Sequence, residues 1–166
     1  RPRRRQTRHC LHHEGQRERV AKIAGRRSIC VDVQVEIDTG MRRLGVPEDE
    51  ALALLRNGAS IFLTGQPGSG KTHTVNRYVR ELQRQSIDYA YTASTGIAAT
   101  HGCGVTIHAW SGIGVRDAMT RRDLDMLSTN RRLASRIEKT KVLIIDEISM
   151  LPARALSLVD AVCRHI

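Results

Sequence analysis

The sequence contains no uninterrupted apolar run near the roughly 18 residues that a membrane-spanning helix needs, so no membrane partner is expected. It has four cysteines, Cys10, Cys30, Cys103 and Cys163, and no C-x-x-C pair among them. That scatter excludes a disulfide framework and suits reduced thiols inside a cell, whether in a prokaryotic cytoplasm or a eukaryotic nucleus or mitochondrion. Cys10, His12 and His13 lie close together as metal ligands could, but no second spaced pair accompanies them, and a polar basic tail is the better account. Internal repeats and low-complexity tracts are missing beyond an Arg-rich start, so a repeat array is excluded.

Acidic residues are scarce at the N-terminal end. The net charge is +10, and residues 1–30 hold ten Lys or Arg against Glu14 and Glu18, a net of +8. The basicity therefore belongs to the start of the chain. Residues 1–40 are expected to form a solvated basic extension, and residues 41–166 a domain beginning near Met41. The Arg-rich run could alternatively touch nucleic acid or serve as a nuclear address. A length of 166 residues with 40% hydrophobic content suits one domain with its own core.

What the sequence does have is GQPGSGKT at residues 65–72, after the short apolar segment IFLT. This is the pattern of a phosphate-binding loop. A glycine-rich turn can aim consecutive backbone N–H groups at crowded phosphate charges without side-chain clashes. Gly65, Gln66, Pro67, Gly68, Ser69 and Gly70 would form the cradle, with His73 just beyond it. Lys71 would bring a positive charge to the β and γ phosphates, and Thr72 a hydroxyl to Mg²⁺. Val75, Tyr78, Val79 and Leu82 follow at helical spacing, so a helix is expected to start at the loop with its positive dipole end toward the phosphates. ATP and Mg²⁺ are the expected ligands.

Around the loop, Val31, Val33, Val35 and Ile37 alternate with polar residues, a strand pattern whose partner is open. Pro47 and the acids Glu48, Asp49 and Glu50 open a helix that Gly58 ends, with Ala51, Leu54 and Leu55 on its apolar face and Leu52 alongside. Residues 60–64, 89–92 and 141–146 read as short buried strands separated by helices. That order predicts an α/β fold, a parallel sheet with helices on both faces. A charged helix is expected at 130–138, and a last one at 153–165 presenting Leu156, Val159, Val162 and Cys163 to a core.

The apolar strand VLIID carries Asp146 and Glu147 at its C-terminal end, where α/β folds place ligands. Asp146 would enter the Mg²⁺ shell and Glu147 would orient or deprotonate an attacking water, making Lys71, Asp146 and Glu147 the candidate catalytic set. They are expected to surround one nucleotide.

The segment TASTGIAATHGCGVTIHAWSGIG at residues 92–114 is not needed by ATPases in general. With FLTGQPGSGKT and IIDEISM, it resembles the petite-integration-frequency (PIF-type) helicases, 5′-to-3′ DNA helicases of superfamily one and relatives of RecD, over roughly residues 50–166. The resemblance implies a RecA-like P-loop NTPase fold and single-stranded DNA as partner. It implies that Ser94, Thr95 and Gly96 meet the DNA backbone, with His108 and Trp110 in the element that follows. Contacts of this kind carry no sequence information. Trp110 is equally readable as a core aromatic, and His108 as a structural hydrogen-bonding residue.

Two features depart from that family's pattern. No glutamine lies between Gln34 and Gln66 to read adenine, and no Gly-Asp-x-x-Gln follows Asp146. The expectation is an incomplete RecA-like sheet, without the second RecA-like domain and its arginine finger, in which Leu156, Val159 and Val162 are left uncovered. The alternatives are another DNA-associated P-loop ATPase and a binding module that turns nothing over.

Overall fold

The computed structural model describes residues 9–10, 33–36, 46–100 and 104–166, and the chain divides into two compact units, Arg1–Glu81 and Leu82–Ile166. Most of the expected basic extension thus lies outside the described residues.

In the first unit the described strands are β1 (His9–Cys10), β2 (Val33–Glu36) and β3 (Ile61–Thr64), all parallel, in the order β1-β2-β3. Val33 to Glu36 pair in register with Ile61 to Thr64, which supplies the partner that the alternating pattern left open. Helix α1 (Glu48–Arg56) starts after Pro47, whose carbonyl accepts the N–H groups of Glu50 and Ala51 at 3.1 Å. Its three first-turn acids favour the positive end of the helix dipole. Val46 and Ala51 are buried against Leu54, Ile61 and Leu63. Leu52, expected beside the apolar face, is fully buried, whereas Leu55 is only half-buried.

Helix α2 (Lys71–Arg84) begins at the loop as expected. The Arg56 guanidinium donates to both carboxylate oxygens of Glu81, Arg77 donates to Asp49 at 2.9 Å, and the Tyr78 hydroxyl donates to the Leu55 carbonyl at 3.2 Å. These bonds fasten α1 along α2, so the direction of the loop helix is fixed by residues before the loop. One expectation fails here: β3 is not covered on both faces, because Phe62 is 45% exposed.

The second unit contains β4 (Tyr89–Ala93), α3 (Gly96–Thr100), α4 (Ile107–Ser111), α5 (Arg121–Thr129), α6 (Arg131–Lys139), β5 (Val142–Asp146), a 3-10 turn (Ile148–Met150) and α7 (Ala153–His165). Strands β4 and β5 are parallel and in register from Tyr89 opposite Val142 to Ala93 opposite Asp146. Helices α4, α5 and α6 each have a side-chain cap suited to their start. The Thr106 hydroxyl accepts from the Ala109 N–H at 3.2 Å, Thr120 and Asp123 form a reciprocal capping box, and Asn130 accepts from the N–H groups of Arg132 and Leu133.

These helices bury a cluster of Ile107, Trp110, Ile113, Leu133, Ile137, Leu151, Ala155, Val159 and Val162. Trp110 is therefore a core aromatic. The expectation that Leu156, Val159 and Val162 would all stand uncovered is corrected: Val159 and Val162 are 2% and 1% exposed, because this helical cluster supplies their cover. Leu156, at 40% exposure, is the one that faces out, and it is also not the core residue its spacing suggested. Strand β5 is half-buried along its length, not enclosed on both faces.

Gly112 ends α4 at φ +76°, and a Cβ there would lie 2.8 Å from Leu133 Cδ2. Gly112→Ala combines a left-handed backbone with overpacking of a buried leucine, so it should destabilise by about 2–3 kcal/mol. A denaturant midpoint unchanged from wild type would contradict that packing. A smaller effect is expected at the capping box, where the Thr120 hydroxyl and N–H hold the Asp123 carboxyl below the ordinary aspartate range. A pKa lower in the folded state gives stability that is present above the ordinary value and is lost as pH falls through the folded one. Thr120→Ala should weaken that acid dependence, seen as a flatter fall of thermal midpoint below the ordinary aspartate range.

Candidate functional site

The loop between β3 and α2 closes with the Ser69 N–H on the Gln66 carbonyl at 3.1 Å, and α2 starts with the Thr74 N–H on the Gly70 carbonyl at 2.9 Å. Gly70 has φ +81° and open space where a Cβ would stand, so the glycine is required by the backbone and not by crowding. The first-turn N–H groups of a helix lack intrahelical partners, and this helix opens with no acidic residue in its first turn. Gln66, Pro67, Gly68 and Gly70 are exposed, Gly65 is half-buried and Ser69 is buried, as a wall with an accessible lip. A glycine-rich loop that runs into a helix start with no acidic residue suits a polyanion.

Lys71 folds back over the loop. Its Nζ donates to the carbonyls of Gly65 at 2.8 Å and Gln66 at 2.9 Å, and lies 3.5 Å from Ser69 Oγ. An ammonium held on neutral carbonyls can exchange them for phosphate oxygens, which make stronger, charge-assisted bonds. Thr72 and His73 are exposed on the first turn of α2, with His73 Nε2 3.6 Å from Glu48 Oε1. The structure thus brings residues 65–73 together as the sequence predicts.

In the second unit, Asp146 ends β5 and Glu147 follows with φ 49° and ψ 39°, a left-handed backbone that is uncommon outside glycine. Asp146 uses both carboxylate oxygens: Oδ1 accepts the Glu147 N–H at 2.9 Å and Oδ2 accepts the Tyr91 hydroxyl at 3.1 Å. The Glu147 side chain is exposed. Oxygen donors such as the Thr72 hydroxyl and the Asp146 carboxylate are the type that Mg²⁺ takes.

The residues expected along a DNA path fall in different settings. Ser94 is 6% exposed; its N–H donates to the Asp146 carbonyl at 3.1 Å and its hydroxyl to the Glu147 carbonyl at 2.7 Å. Thr95 is half-buried, Gly96 is exposed at the start of α3, and Ile97 next to it is 78% exposed. His108 is half-buried on α4, which is tied to β4 through a parallel bridge between Ala93 and Thr106. Residues 101–103 of this segment lie outside the described residues. Sequence reasoning missed Tyr91 and Thr92, whose hydroxyls bond to Asp146 and to the Ile144 carbonyl, the latter at 2.9 Å. Three hydroxyl residues, Tyr89, Tyr91 and Thr92, in a strand otherwise made of alanine were the available signal.

Among the described residues no helix is long and apolar enough to cross a membrane. No solved structure matches the chain significantly. Residues 2–65 match the family model described as alanine racemase, N-terminal domain, which covers less than half of the chain. An ATP-dependent DNA helicase Pif1 from Psychrobacter sp. (strain PRwf-1) is 54% identical over 116 residues, 70% of this chain and 18% of the relative. One of the same name from Bdellovibrio bacteriovorus is 39% identical over 122 residues, 74% of this chain and 27% of the relative. The ATP-dependent DNA helicase PIF1 of Saccharomyces cerevisiae (strain YJM789) is 34% identical over 127 residues, 74% of this chain and 15% of the relative. The chain spans less than a third of the length of these curated relatives. The family model described as PIF1-like helicase matches residues 50–166, which contain the phosphate loop, the segment after β4 and the Asp146–Glu147 pair, and the chain belongs to that family.

Proposed function

We propose that residues 41–166 form the front part of the first RecA-like domain of an ATP-dependent helicase that moves 5′-to-3′ along single-stranded DNA in repair, recombination or genome maintenance. The observation that carries this reading is the strand-loop-helix of residues 61–84, with the Lys71 amine held inside the loop, in a chain of the PIF1-like helicase family. Residues 65–73 bind the ATP phosphates. Thr72 and Asp146 hold Mg²⁺, which when bound neutralises charge on the phosphate oxygens. Glu147 orients or deprotonates the attacking water. Thr95, Gly96 and His108 lie along the strand path, and a second RecA-like domain elsewhere in the protein supplies the arginine finger. Residues 1–40 are an extension to this domain.

Support also comes from the short fraction of each relative that the chain spans, which leaves room for the second domain. The test is unwinding by the full-length protein of duplexes with a 5′ tail, a 3′ tail or blunt ends. ATP-dependent opening of the 5′-tailed duplex is expected. Opening of the 3′-tailed substrate alone would refute the polarity, and no ATP-dependent opening of any substrate would refute the helicase reading.

A further inference from the structure

Glu147 occupies a left-handed backbone that an exposed, unrestrained glutamate would leave, so its neighbours must hold it there. Its N–H is fixed by Asp146 Oδ1 at 2.9 Å, one residue away. Its carbonyl is fixed from another strand: the buried Ser94 hydroxyl donates to it at 2.7 Å, while the Ser94 N–H donates to the Asp146 carbonyl at 3.1 Å. Ser94 therefore grips both peptides that flank the Glu147 side chain. Thr92, two residues earlier, makes a similar side-chain bond to the Ile144 carbonyl, so the grip continues the ladder of β4 and β5 past its end.

We propose that Ser94 is a positioning residue for ATP hydrolysis, holding the Glu147 peptide in its left-handed conformation so that the carboxylate is set for the attacking water. The inference rests on the catalytic role of Glu147 given above. It places the Ser94 hydroxyl on the Glu147 carbonyl and not on the DNA strand. Because Ser94 is followed directly by Thr95 and Gly96, movement of that segment on strand contact is passed to Glu147 through one serine. Losing the hydroxyl frees the Glu147 peptide to relax toward ordinary backbone angles, and a displaced catalytic group costs rate without costing substrate affinity.

The test is steady-state ATP turnover by the full-length protein at saturating single-stranded DNA, with Ser94→Ala, Ser94→Cys, Glu147→Gln and the Ser94→Ala/Glu147→Gln double variant. Ser94→Ala should lower kcat by roughly tenfold to a hundredfold, with nucleotide affinity and half-saturating DNA within about twofold of wild type. Ser94→Cys, similar in size but a weaker donor, should fall between serine and alanine. In the Glu147→Gln background, Ser94→Ala should have almost no further effect, since both changes act on one group. A wild-type kcat in Ser94→Ala or Ser94→Cys overturns the proposal, and Ser94→Cys alone decides it if Ser94→Ala does not fold. A rise in half-saturating DNA with kcat unchanged overturns it in favour of direct strand contact. Parallel losses of rate and nucleotide affinity, or an undiminished effect in the Glu147→Gln background, overturn it in favour of a purely structural role. Should Glu147→Gln itself hydrolyse ATP at the wild-type rate, the catalytic assignment of Glu147 fails first, and the positioning role with it.

Discussion

Lys71→Ala in the full-length protein should abolish measurable ATP turnover and weaken ATP binding by roughly a hundredfold or more, the scale of removing one partner from a desolvated charge pair. Lys71 is the one cation in the loop, and its Nζ already lies against the Gly65 and Gln66 carbonyls that border the phosphate cradle. Alanine leaves the glycine turn and its N–H groups but removes the charge proposed to meet the phosphates in both ground and transition states. Affinity and rate therefore fall together. The substitution also removes two hydrogen bonds that close the loop, so thermal unfolding in the absence of ATP should be recorded beside nucleotide titration. A folded variant with wild-type turnover would remove Lys71 from the site.

Glu147→Gln should behave differently. Turnover should drop by a factor on the order of 10² to 10⁴, the range of general-base contributions, while ATP affinity stays within a few-fold of wild type. Glutamine retains the size of glutamate. Asp146 and Ser94 hold Glu147 through its backbone N–H and carbonyl, so the left-handed turn after β5 should survive the change. What is lost is the carboxylate proposed to act on water. Nucleotide titration and single-turnover hydrolysis on the same preparation separate the two effects, and an equal loss of binding in Lys71→Ala and Glu147→Gln would contradict the assigned roles.

The strand-loop-helix of residues 61–84 was legible because its signal is local: glycines at fixed positions, a lysine and a hydroxyl, all between an apolar strand and an amphipathic helix. The end of β5 was legible for a similar reason, since Asp146 and Glu147 follow an unbroken apolar run. Pairings between distant residues were not. The alternation around Val33 to Glu36 predicts a strand but cannot name Ile61 to Thr64 as its partner. Tyr91, Thr92 and Ser94 find their acceptors more than 50 residues away, and only the register of β4 against β5 sets which hydroxyl meets which acceptor.

Burial was read correctly where periodicity and surroundings agreed, as at Tyr78 and Leu82, and misread where the cover comes from elsewhere. Val159 and Val162 belong to one buried cluster with Ile107, Trp110, Leu133 and Ile137, and helix α7 packs on α4 and α5, which a count of missing strands does not anticipate. Phe62, in a run that looks enclosed, has one side open. The resemblance of residues 92–114 to a helicase segment identified a family, but it did not distinguish a serine that meets DNA from one that holds Glu147.

Steady-state ATP turnover by the full-length protein, measured with and without a single-stranded oligonucleotide, tests the helicase reading most directly. Slow basal turnover is expected, with a strong increase on adding single strand, little increase with blunt duplex, and loss of both rates in Lys71→Ala. Turnover indifferent to single-stranded DNA, or turnover that persists in Lys71→Ala, would contradict it.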